Sequence, residues 1–164
     1  MALRTIVTEP DEMLRKKSRE VTNFNERIHQ LLDDMKDTMY ESNGVGLAAV
    51  QVGVLRRVVV IDVEDEHGCI ELINPEIIHM EGEQDGREGC LSFPGKMGYV
   101  KRPMTVTFRA QDRNGEWYEM TGEGMFARCV CHELDHLDGV VFLDTARDVT
   151  EMTDEDFEEY EYEE

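Results

Sequence analysis

The chain has 164 residues, 40% hydrophobic and 33% charged, a length and composition that suit one globular domain with a buried core. It has no apolar run of eighteen residues and no signal-like stretch in "MALRTIVTEPDEML", so a cytoplasmic protein with no membrane span is expected. The formal charge of −20 argues against direct nucleic-acid binding, which rests on neutralising phosphates.

The first clear element is "NERIHQLLDDMKDTMYESNG", in which Ile28, Leu31, Leu32, Met35 and Met39 recur at helical spacing; Asn25 is placed to cap it and Asn43-Gly44 to stop it. "GVGLAAVQVG", Gly44 to Gly53, is too glycine-rich for a helix and too apolar for an exposed loop. Strands are expected at Arg56–Asp62 and Ile70–Ile78. "EGEQDGREGCLSFPGKMG" reads as irregular loop because of its five glycines and Pro94. Met104–Met120 alternates and turns at Asn114-Gly115, a hairpin, and a helix is expected from Glu123 to Leu137, ended by Gly139. The order implies an α+β fold, antiparallel β-sheets packed around a central helix that carries an HExxH motif. Residues 1–150 form the folded domain and 151–164, with nine acidic side chains and no Lys or Arg, an acidic C-terminal tail that is solvated or frayed.

That helix holds the densest chemistry. In "ARCVCHELDHLDG", His132 and His136 stand four residues apart and so share a helix face, where two imidazoles can grip one cation. Glu133 is offset by about 100° from His132, close enough to reach a water at the cation without ligating it. The third ligand decides the chemistry. A histidine after Gly139 is ruled out by Phe142, and the tail glutamates Glu151, Glu155 and Glu158 sit in an acidic, weakly apolar segment. Upstream, Cys90 in "EGCLS" offers a thiolate beside Gly89; Cys, His and His would leave a fourth position open, as in a catalytic site, although a lone cysteine is more often a small buried apolar group. Cys129 and Cys131 are too close for an unstrained helical disulfide and read, like Cys69, as thiols or ligands.

Three stretches together, "GVGLAAVQ", "EGCLS" and "HELDHLDG", resemble the signature motifs of the bacterial-type peptide deformylases, in that family's order and spacing, and the resemblance runs from about residue 1 to 145. It implies a metal-dependent hydrolase that removes the formyl group from nascent N-formylmethionyl polypeptides and releases formate, in transient proximity to the ribosome. It implies Cys90, His132 and His136 as ligands of one Fe2+, with Zn2+, Ni2+ or Co2+ as substitutes. Glu133 becomes the general acid/base, while Gln51 and the backbone N–H of Leu91 polarise the formyl oxygen.

Gly44, Val45 and Gly46 can offer backbone groups to an extended peptide, and Val45, Met125 and Cys129 are candidates for an apolar pocket around the methionine side chain. Two features depart from the family: Cys131 stands where glutamine is usual before the first histidine, and the acidic tail replaces the usual C-terminal extension. A protease using a tail glutamate, and a non-enzymatic metal or redox module built on Cys90, Cys129 and Cys131, are the rival readings.

Overall fold

The computed structural model describes residues 2–151. Helix α1 (Glu26–Glu41) forms where the apolar spacing requires it: the Asn25 side chain accepts from the Ile28 N–H, and Ile28, Leu31, Leu32, Met35 and Met39 are all buried. A five-stranded antiparallel sheet follows in the order β1-β2-β3-β6-β7, built from β1 (Gly46–Ala48), β2 (Val58–Ile61), β3 (Ile70–Glu81), β6 (Thr105–Gln111) and β7 (Trp117–Glu123). The second sheet joins β4 (Gln84–Cys90), β5 (Phe93–Arg102) and β8 (Arg147–Glu151). Helix α2 (Met125–Leu137) carries the HExxH motif.

Strand β2 shows why the helices sit where they do. All four of its residues are buried, because Val58 and Val60 pack with α1 while Val59 and Ile61 pack with α2 on the opposite face. The large sheet is therefore covered on both sides, and α2 is held between it and β5, whose Arg102 reaches Asp135 on the helix. Strand β1 pairs only with β2, so it is an edge of the large sheet.

Two expectations need correction. Residues 81–98 are not an irregular loop: β3 runs on to Glu81, and β4 and β5 make a regular antiparallel pair. The glycines there mark close approach, since an added Cβ would lie 3.0 Å from Arg128 at Gly86, 2.6 Å from the Met97 sulfur at Gly89 and 2.8 Å from Ala146 at Gly98. Neighbouring side chains fill the space that made the stretch look structureless. Helix α2 also starts at Met125 rather than Glu123, because Gly124 takes a left-handed φ of 64° that ends the preceding strand. The expected acidic tail lies, apart from Glu151, outside the described residues.

Candidate metal centre

A break in the β4–β5 register aims the thiol. The strands pair regularly to Gly89–Met97, and then Cys90 pairs with Phe93, a bulge that turns Cys90 towards α2. Its Sγ lies 3.3 Å from Nε2 of His136 and 3.5 Å from the Gln51 amide nitrogen. The rings of His132 and His136 are 5.1 Å apart, and ligand atoms from Cys90, His132 and His136 all lie within 4.8 Å of one another.

The donor chemistry fits a cation. Nδ1 of His132 donates to Oε1 of Glu88 at 2.8 Å, which leaves the Nε2 lone pair to face the site. Although burial alone would hold Glu88 protonated, hydrogen bonds from Arg102 and His132 carry its pKa down to about 2. Burial and the neighbouring His132 push His136 to about 3, so its ring is neutral and its nitrogen available. For His132, burial opposes charge, but hydrogen bonds to Cys90 and Glu88 outweigh it and raise its pKa; a cation competes for the same nitrogen. Sulfur and two imidazoles suit a first-row transition ion far better than Mg2+ or Ca2+.

Glu133 follows His132 on α2 and is not one of the three clustered donors. Its Oε1 is buried with no hydrogen-bond partner among the described residues, and burial raises its pKa to about 7. Gly46 lies against it: a Cβ there would fall 2.7 Å from Glu133 Oε2 and 2.8 Å from the Cys129 sulfur. Because the Val45 carbonyl bonds Asp62 on the β2 side, strand alternation turns the N–H and C=O of Gly46 to the open edge of β1. Gln51, 1% exposed, is fixed at both ends of its amide: Oε1 accepts from the Ala48 N–H at 2.9 Å, and Nε2 donates to Ser92 Oγ at 3.1 Å.

The remaining sequence candidates fall around this centre. Leu91 follows Cys90 directly, and its side chain would meet a Cβ at Gly44 at 2.8 Å. Cys129 is buried, its Sγ 3.6 Å from the Val45 carbonyl, and desolvation raises its pKa, so it is an inert thiol. Val45 and Met125 are exposed, Met125 by 58%. Glu151 lies exposed on β8, 3.8 Å from Lys96, and is not in the cluster; Glu155 and Glu158 lie outside the described residues. Sequence reasoning gave no role to Glu88 and Ser92, though both lie in "EGCLS", and passed over Arg102 and Arg128.

A second trio, Asp65, Glu66 and His67, also brings its donor atoms within 4.8 Å. There His67 bonds Asp65 through Nδ1 and the Thr121 carbonyl through Nε2, each at 3.0 Å, and its ring stacks on Phe126 at 4.0 Å.

The polypeptide deformylase family model matches residues 3–152. A peptide deformylase of Caldicellulosiruptor bescii is 59% identical over 144 residues, 88% of this chain and 86% of that protein. One from Thermoanaerobacter sp. is 52% identical over 162 residues, 99% of this chain and 95% of that one. Among solved structures, a peptide deformylase from Legionella pneumophila superposes with a TM-score of 0.86 at 47% identity, covering 90% of this chain and 88% of that one. The Synechococcus elongatus enzyme in complex with actinonin gives 0.83 at 38% identity, covering 87% and 80%.

Proposed function

Because this chain belongs to the polypeptide deformylase family, we propose that Cys90, His132 and His136 hold one Fe2+, and that Glu133, Gln51 and the Leu91 N–H carry the chemistry. The reaction is hydrolysis of the formyl group from N-formylmethionyl peptides of newly synthesised proteins, with release of formate. The observation that supports the assignment best is the buried Oε1 of Glu133, without a hydrogen-bond partner among the described residues, beside three donors within 4.8 Å.

When bound, the ion supplies Lewis acidity, which makes water a competent nucleophile near neutral pH. Glu133 accepts the proton of the attacking water and returns it to the departing amine, so the C–N bond breaks with proton balance kept inside one carboxylate. Negative charge grows on the formyl oxygen. One Gln51 Nε2 hydrogen is held by Ser92, and the other, together with the Leu91 N–H, receives that charge. An extended substrate adds to the open edge of β1, where Gly46 offers its N–H and C=O and Gly44 and Val45 lead into the strand, so that recognition through backbone admits most sequences. Val45, Met125 and Cys129 enclose the methionine side chain. Zn2+, Ni2+ or Co2+ substitute for Fe2+ on the same ligands.

We read residues 1–150 as the catalytic domain, which the family match over residues 3–152 spans almost entirely, and 151–164 as an acidic appendage. A cytoplasmic setting near the ribosome, where formylated nascent chains emerge, fits a chain with no helix long and apolar enough to cross a membrane among its described residues. The test is formate release from formyl-Met-Ala. Wild type releases it, and Glu133→Ala lowers turnover by a factor on the order of a hundred while keeping its metal; no formate from metal-loaded wild type refutes the assignment.

A further inference from the structure

Glu88 stands in one of the three motifs, yet it is not one of the proposed ligands and has no role in the proton path. Its carboxylate, 5% exposed, accepts four hydrogen bonds. Oε1 takes His132 Nδ1 at 2.8 Å and Arg102 Nη2 at 2.9 Å, and Oε2 takes Arg102 Nε at 2.8 Å and Arg128 Nη1 at 2.7 Å. No lone pair is left over. Arg102 and Arg128 come at this anion from different elements, Arg102 from β5 and Arg128 from α2, one turn before His132.

Arg128 does more than neutralise. The same Nη1 reaches the carbonyls of Val100 on β5, at 3.0 Å, and Gly86 on β4, at 3.3 Å. Gly86 keeps room for it, since a Cβ there would stand 3.0 Å from Nη2. One buried guanidinium thus binds the helix that carries both imidazoles to the strand that carries the thiol, two residues before Cys90. A buried ion network of this kind adds little net stability, because desolvation offsets attraction, but it fixes relative geometry. A lysine would keep the charge but not the contacts, because its chain ends one bond short of the position that Nη1 occupies.

We infer that Arg128 is a positioning residue of the metal centre: by clamping Glu88 and the β4–β5 backbone to α2, it sets the spacing between Cys90 and the two histidines and holds His132 with Nε2 towards the ion. The inference rests on the reading that Cys90, His132 and His136 are the ligands.

The test uses the full chain loaded with Zn2+ and measures metal release to a chelator. Arg128→Met is expected to lose Zn2+ about 10- to 100-fold faster than wild type, with KM for formyl-Met-Ala little changed. Arg128→Lys, which keeps the charge, should fall between the two. In 15N-labelled zinc protein the His132 Nδ1–H signal should exchange faster with water in both variants. If Arg128→Met does not fold, the lysine variant decides. An unchanged release rate in the folded variant overturns the inference, even if its melting temperature falls. Cys90→Ala separates the two failures: if it retains Zn2+ like wild type, the ligand assignment itself is wrong; if it loses Zn2+ while the Arg128 variants do not, only the inference is.

Discussion

Within the described residues, two trios place three potential metal donors within 4.8 Å, and the contrast lies in what their imidazoles have left to give. Asp65, Glu66 and His67 are neighbours in sequence on a surface turn, and His67 spends one nitrogen on a carboxylate and the other on a carbonyl. Both partners are acceptors, and both ring nitrogens are engaged by them. Burial opposes a charge on this ring, yet Asp65 and the Thr121 carbonyl win, and its pKa is raised. A metal would have to displace one of these partners. Cys90 stands 42 residues before His132, on a different element, and there His132 spends Nδ1 on Glu88 while its other nitrogen meets Cys90, itself a member of the trio. Proximity of donors is common; here the second nitrogen of His132 meets a fellow donor rather than a backbone carbonyl, and His136 Nδ1 is buried with no partner among the described residues.

The sharpest way to break this contrast is to remove one member of each trio. Cys90→Ala should abolish tight metal binding and formate release, whereas His67→Ala should leave one equivalent of metal bound by elemental analysis. Metal loss in the His67 variant would erase the distinction.

A second experiment uses pH. Glu133 accepts a proton only as the carboxylate, and its pKa is raised to about 7 by burial, so the base form is lost as pH falls through that value. A cation beside it favours the carboxylate and moves the limb lower. The acidic limb of kcat/KM is therefore expected at or below pH 7, falling about tenfold per unit beyond it. Glu133→Gln should remove the limb together with most of the activity. The His67 ionisation should leave no mark on the profile.

The smallest effect belongs to Cys131. It is 6% exposed and packs in the core between α2 and the large sheet, and burial pushes its pKa up to about 11. Cys131→Ala should cost about 1 kcal/mol in urea unfolding through the lost sulfur contacts and leave metal content unchanged. An emptied site would move a ligand onto the helix.

Much of this was legible in the chain itself. Helix α1, the turn at Asn114-Gly115 and the HExxH helix follow from local periodicity and turn chemistry, while the proposed ligand set comes from the family resemblance that three short motifs carry. The β4–β5 pair was not, because Gly86, Gly89 and Gly98 are dictated by the side chains of Arg128, Met97 and Ala146, two of them distant in sequence. Arg102 and Arg128 were invisible for the same reason: a charged residue looks solvent-facing until its buried anion is known. Glu88 lay in plain sight within "EGCLS", but only the fold shows that it saturates with four donors.

Strand β1 is three residues long, and that brevity has a kinetic meaning. An exposed sheet edge is a template on which unfolded chains can accumulate, and this protein works among such chains. With Gly46 turning one N–H and one C=O outward, the edge offers a visitor only a couple of ladder bonds, each worth about 0.5–1.5 kcal/mol. On the proposed mode of binding, a passing chain would be held long enough to be aligned and too weakly to stay. Lengthening β1 would trade rapid dissociation for sticking, and the residence time of product would grow before any aggregate formed.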